Sequence, residues 1–216
     1  MPGRQRTSGK EQDEHTTPKD CTFIRAMQLI TDNILKNIEH LRKNPEPVLR
    51  FAAIIEKAIR EKRHVFIVGS GRSAMVSQMF QTRLEHLKAN VHFITNSRSV
   101  PVLLKGDLLI VISGSGRTAI VKAIIESYLD SNPHILSITS YPESWIGRMS
   151  DLVVPLVGRT KIDIARREAG YEASLTPEGT QFEIACAVFL DGVIAELVTR
   201  LKISNEELLS RHSQST

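Results

Sequence analysis

Twice in this chain a short uninterrupted apolar run ends in a glycine–serine turn that opens a helical stretch. Val65-Phe66-Ile67-Val68 leads into Gly69-Ser70-Gly71-Arg72-Ser73, and Leu108–Ile112 leads into Ser113-Gly114-Ser115-Gly116-Arg117-Thr118. A run of four or five apolar residues without polar alternation fits a strand covered on both faces, as parallel sheets require. Val91–Ile94, His134–Thr139 and Leu152–Val157 are further runs of this kind. Helical stretches follow the first run, from about Ser73 to Leu87, and the third, to about Leu129. The pattern predicts an α/β chain: a five-stranded parallel sheet flanked by helices on both faces, a three-layer sandwich with right-handed crossovers.

The 216 residues divide around that sheet into a tail and one domain, 21–216. Residues 1–20 hold no Val, Ile, Leu, Phe or Trp, and predict a disordered tail that lacks the apolar stretch of a signal peptide. A cytoplasmic location is expected. Two leading helices fall within 22–62: Phe23, Met27, Ile30, Ile34, Ile38 and Leu41 form one stripe, and Phe51, Ala52, Ile55, Ala58 and Ile59 a second. Each stripe is expected to cover the sheet or to pack against another subunit. The sheet core spans 64–157, and a polar segment without clear period, 158–175, reads as a loop or lid. C-terminal helices fall within 176–211, a long one from about Thr180 to Leu201 and a short one near Asn205–Ser210.

Composition excludes several classes. Cys21 and Cys186 stand far apart with no CxxC, so neither a disulfide framework nor a cysteine zinc site is expected. No apolar run approaches the ~18 residues that span a bilayer, so no membrane association is expected. The net charge of +4 suits phosphorylated small molecules and nucleic acid alike. The basic group Arg159, Lys161, Arg166 and Arg167 is interrupted by Asp163, Glu168 and Glu172, with only Tyr171 aromatic nearby. Nucleic-acid binding is therefore not expected.

The two glycine–serine turns point to an anion. Glycine permits close backbone approach, and the helix that follows offers unpaired N–H groups and a partial positive charge. The hydroxyls of Ser113, Ser115 and Thr118 are spaced to converge on one tetrahedral group. Tight βα turns with serine caps are the simpler alternative. Both turns also fit G-x-G-x-x-A (Gly69, Gly71, Ala74; Gly114, Gly116, Ala119). A dinucleotide, however, needs an acidic residue ~20 positions on. Thr95-Asn96 and Ser140-Tyr141 stand where it would be, and Walker A is absent. A phosphomonoester fits better than NAD or ATP.

GSGRS after the first strand, ISGSGRT after the third, Pro142-Glu143-Ser144, and TPEGTQFE before the last helix together resemble the sugar isomerase (SIS) domain. Arg83-Leu84-x-His86-Leu87 and Gly179-Thr180-x-Phe182-Glu183 are most similar to the 6-phospho-3-hexuloisomerases within it, over about residues 22–212. The resemblance implies a flavodoxin-like or Rossmann-like sandwich and interconversion of 3-hexulose 6-phosphate with fructose 6-phosphate in the ribulose monophosphate pathway. It further implies no metal, no cofactor and a homotetramer.

The phosphate site would fall on Ser113, Gly114, Ser115 and Thr118, with Gly71, Arg72 and Ser73 lining the sugar and Glu183 as general base. His86 would face a neighbouring subunit's site and assist proton transfer, and His212 matches a C-terminal histidine of the family. Simpler readings stand beside these. Thr180-x-x-Glu183 is itself a capping box, His86 and Arg117 fit solvated surface positions, and His212 fits a frayed end. The sequence departs from the family in lacking an acidic residue across Asn96–Pro101 and an Asn after His212. Two alternatives stay open: another SIS aldose–ketose isomerase, acting on a pentose 5-phosphate, and a sugar-phosphate-binding module without catalysis.

Overall fold

The computed structural model describes residues 21–94, 101–158, 175–204 and 206–207. Two helices lead, α1 (Thr22–Lys43) and α2 (Glu46–Arg60). Strand β1 (His64–Gly69), helix α3 (Arg72–His86) and strand β2 (Asn90–Phe93) follow. Then come β3 (Leu108–Ile112), α4 (Ala119–Tyr128), β4 (His134–Thr139) and the short α5 (Trp145–Arg148). Strand β5 (Leu152–Pro155) and the long α6 (Thr180–Leu201) complete the order.

All four strand pairings are parallel, as the run of apolar segments predicts, and the strand order is β2-β1-β3-β4-β5. The apolar runs are uninterrupted because both faces are covered. Val65, Ile67, Ile110 and Ile112 pack under Phe51 of α2, Phe80 of α3 and Phe189 of α6. Their neighbours Phe66, Val68, Leu109 and Val111 pack on the opposite face under Val121 and Ile125 of α4 and Ile146 of α5. The strand order changes direction between β1 and β3, and at such a point the loops leaving the two strands diverge and open a crevice at their carboxyl ends. Gly69 pairs with Ile112, so both glycine–serine turns leave the sheet at one level.

Helix α1 turns only part of its apolar stripe inward: Phe23 is 65% and Met27 60% exposed, while Leu41 packs against the core. The α1 residues that the fold buries are Asn33 and Asn37. Both are hydrogen-bonded, as buried amides must be. Asn33 Nδ2 donates to Gln181 O at 3.1 Å. Asn37 Nδ2 donates to Val157 O at 2.7 Å while Val157 N donates to Asn37 Oδ1 at 2.7 Å. These bonds tie α1 to the first turn of α6 and to the chain leaving β5. Other differences are small. Strand β5 ends at Pro155, which has no N–H to give, although Leu156 N still donates to Thr139 O at 3.1 Å. Helix α5 was not expected: four residues are too few to show a period, and its signal is Ser144, whose hydroxyl accepts from Gly147 N at 3.2 Å. Residues 1–20, most of the 158–175 segment, most of the short helix near 205–210 and His212 lie outside the described residues.

Where β1 and β2 pair, His64 Nδ1 lies 2.8 Å from His92 Nε2. His64 N also donates to Asp107 Oδ1 at 3.1 Å. Burial holds the His92 ring below its ordinary pKa of 6.5, and proximity to His64 lowers it further against the opposing pull of Asp107 and Glu85. The unfolded chain therefore takes this proton more readily than the folded one, so stability is lost as pH falls below ~6.5. Thermal melts from pH 7.5 to 5 are expected to show a declining Tm, with a shallower decline in His92→Gln. Parallel profiles for the two proteins would show that this pair contributes nothing to acid sensitivity.

Candidate active site

The turn after β3 is closed by Gly116 N donating to Ser113 O at 3.1 Å. Within it Ser113 Oγ lies 3.2 Å from Thr118 Oγ1, and Arg117 N donates to Ser115 Oγ at 3.3 Å. Ser115 accepts there, which leaves its own O–H free to donate elsewhere. Thr118 is the N-cap of α4 and its side chain makes no capping bond to the helix; the first turn of α4 holds no acidic residue. Hydroxyl donors and the positive helix end thus meet with no carboxylate of that helix turn between them, an arrangement suited to an anion. Gly116 requires glycine: its φ is +60°, and a Cβ there would sit 1.9 Å from Ser144 Oγ.

The facing wall is built from the turn after β1 and the start of α6. Gly179, at φ +88°, is the N-cap of α6, so Thr180 is the first helical residue. A capping box would need Thr180 itself at the cap. Instead the Thr180 hydroxyl accepts from Arg72 Nη1 at 2.9 Å. Arg72 Nη2 lies 2.8 Å from Glu183 Oε2 and also donates to the Glu178 carbonyl. The simple capping reading of Glu183 therefore gives way to an ion pair across the crevice. The Glu183 side chain is 16% exposed and that of Arg72 44%.

Packing fixes where Glu183 stands. Phe182 beside it is buried, and a Cβ on Gly114 would lie 2.8 Å from Phe182 Cδ1. The hydroxyl-bearing turn and the first turn of α6 therefore abut, and Asn33 secures the same turn through Gln181. One turn further along α6, Cys186 is fully buried. Burial, with Glu183 nearby, pushes its thiol far above the ordinary range, so it stays protonated and offers no nucleophile.

Between the two walls lies a cavity of about 560 Å³. Of the residues predicted from sequence, Gly71, Arg72, Ser73, Gly114, Ser115, Thr118 and Glu183 line it. Ser113 stands behind Thr118, 3% exposed. His86 is not brought to this cavity: it ends α3, whose first residue is Arg72, and lies ~21 Å away along the helix axis. Sequence reasoning did not assign Ser70, Arg117, Glu178, Gly179 and Phe182, which also line the cavity. All five neighbour assigned residues inside the same motifs, which was the available signal. An apolar groove of about 460 Å³ between α1, α2 and α6, lined by Ile38, Leu41, Val188 and Val193 among others, lacks such convergent polar groups. Among the described residues no group of three or more His, Cys, Asp or Glu is placed to hold a metal, and no helix is long and apolar enough to cross a membrane.

The arrangement offers donors suited to an anionic group at one end and presents a carboxylate at the other. Comparison with known proteins is consistent with that chemistry. The SIS domain family model matches residues 58–167. The chain is 41% identical to an uncharacterized protein of Aeropyrum pernix, over 76% of this chain and 79% of that one. It is 31% identical to the 3-hexulose-6-phosphate isomerase of Methanocaldococcus jannaschii, over 88% and 96% of the two chains. Among solved structures, a Methanococcus jannaschii protein with an inferred molecular function of 3-hexulose-6-phosphate isomerase matches at a TM-score of 0.71 and 30% identity. That match covers 86% of this chain and 96% of that one.

Proposed function

Because the chain belongs to the SIS domain family, we propose that it is a sugar-phosphate isomerase interconverting 3-hexulose 6-phosphate and fructose 6-phosphate. One observation carries this reading: the hydroxyl-lined helix end at 113–118 and the Glu183 carboxylate face a single cavity. The sizeable identity to relatives named for this reaction supports the choice of substrate.

In the proposed mechanism the phosphate sits on Ser115, Thr118 and the backbone at Gly114, with Ser113 supporting Thr118 from behind. Gly71, Arg72 and Ser73 contact the sugar. Glu183 removes the proton on C2 of the 3-hexulose, the C2–C3 enediolate forms, and Glu183 returns the proton to C3. The hydroxyl proton of O2 passes to O3, leaving the carbonyl at C2. Arg72, ion-paired with Glu183, holds the carboxylate in place, and its guanidinium would offset charge developing on oxygen. The phosphate, fixed away from the reacting carbons, supplies positioning that the chemical step uses.

Self-association to a homotetramer is part of the proposal. Exposed apolar side chains on three helices support it: Phe23 and Met27 of α1, Met75 and Met79 of α3, Ile184 and Val188 of α6. In such an assembly His86, remote from the cavity of its own chain, would serve a neighbouring site.

The purified protein is expected to convert 3-hexulose 6-phosphate to fructose 6-phosphate in a coupled assay, and to run as an oligomer in light scattering. Turnover confined to a pentose 5-phosphate would replace the substrate. Saturable binding across a sugar-phosphate panel without turnover would replace the enzyme with a sensor.

A further inference from the structure

We infer that Arg117 reads the charge of the substrate phosphate and sets the preference of this site for a phosphorylated sugar. The inference rests on the cavity being the sugar-phosphate site proposed above. Arg117 lines that cavity beside Ser115 and Thr118. Among the described residues its guanidinium makes no hydrogen bond or ion pair, whereas Arg72 is held by Glu183 and Thr180. Among the described residues the charged side chains lining the cavity are Arg72, Arg117, Glu178 and Glu183, two of each sign. A phosphate carries a charge between about −1.5 and −2 near neutrality. With Arg72 engaged, the hydroxyls and N–H groups of the 113–118 turn are neutral donors, and among the described residues Arg117 is the cation left to match that charge.

Its position sharpens the point. Arg117 immediately precedes Thr118, the N-cap of α4, whose first turn has no acidic residue. A cation there faces the positive end of the helix dipole, an unfavourable pairing by itself. A phosphate seated on the turn reverses the balance, because both the helix end and the guanidinium then face an anion. The solvated-surface reading of Arg117 leaves that placement without a purpose. Arginine also presents a planar fork that matches two phosphate oxygens, which lysine does not.

The test is calorimetric titration of the full-length protein with fructose 6-phosphate, inorganic phosphate and unphosphorylated fructose, from pH 5.5 to 7.5. Arg117→Gln is expected to weaken fructose 6-phosphate binding about tenfold, the lower end for a hydrogen bond to a charged group at an exposed position. It is also expected to raise KM with kcat held, and Arg117→Lys to restore part of the loss. Wild-type affinity is expected to rise as the phosphate loses its second proton near pH 6, and Arg117→Gln to flatten that rise. Glu178 and Glu183 face the same cavity and stay unchanged in both proteins, so the difference between the two profiles isolates Arg117. Ser115→Ala serves as the control for the site itself. If it weakens phosphate binding while Arg117→Gln leaves affinity and pH profile unchanged, Arg117 is a bystander and this inference fails alone. If neither substitution changes binding, the phosphate sits elsewhere and the proposed site falls with it.

Discussion

Glu183→Gln is expected to lower kcat by about 10²–10⁴-fold, the range for a positioned general base, while fructose 6-phosphate still binds within a few-fold of wild type. The substitution keeps the shape of the side chain and a polar oxygen beside Arg72, so the geometry of the first turn of α6 survives. What it removes is the group proposed to take a proton from carbon. The lost ion pair with Arg72 has little effect on stability, because Arg72 is 44% exposed and solvent screens the interaction. Steady-state kinetics beside a thermal melt separates the outcomes. Wild-type kcat in a folded Glu183→Gln protein would assign the proton transfer to another residue. A lost kcat with an unchanged Tm is the expected pair of results.

The second large effect is on the turn proposed to hold the anion. Gly116→Ala is expected to destabilise the protein by about 2–4 kcal/mol, combining the penalty of a left-handed backbone with that of an overpacked contact. For a chain of this size that is a fall in Tm of roughly 5–15 °C. The Cβ would meet Ser144 Oγ at 1.9 Å and Thr139 Oγ1 at 3.1 Å. Ser144 caps α5, and Ile146 N donates to Gly116 O at 3.2 Å, so the turn and α5 shift together. Sugar-phosphate affinity is expected to fall with them. Gly71→Ala is the informative comparison: its φ is +58°, yet nothing lies within 4 Å of its Cβ. With ψ at −129° it lies outside the left-handed helical region, and it should show a backbone penalty alone, about 1–3 kcal/mol. Equal losses at the two glycines would mean that the contact with Ser144 contributes nothing.

The sheet was legible in the sequence because its strands are short, parallel and covered on both sides. Val65–Val68 and Leu108–Ile112 carry no polar alternation for exactly that physical reason, and the glycine–serine turns announced where each helix begins. Most of the site was legible for a related cause. Gly71, Arg72 and Ser73 lie in one turn and Gly114, Ser115 and Thr118 in another, and each turn takes its shape from local backbone chemistry. Arg117 lay in plain view but read as surface, since its significance depends on Arg72 being engaged elsewhere. The capping box at Thr180 and Glu183 misleads in the same way: local spacing predicts a bond that Arg72, 108 residues from Thr180, takes instead.

Helix α1 marks the boundary most clearly. Its period of three and four is a property of the chain and correctly announces a helix. Which face turns inward depends on what α6 and β5 present, and they present backbone groups to Asn33 and Asn37. The sequence alone determined the elements other than the short α5, the parallel sheet and the chemistry available at its two glycine–serine turns, because these follow from side-chain period and backbone freedom over a few residues. Only the tertiary structure decided that Arg72 meets Glu183, that Arg117 is left unengaged among the described residues, and that His86 ends far from the cavity of its own chain. Those are contacts between residues distant along the chain, set by how whole elements pack.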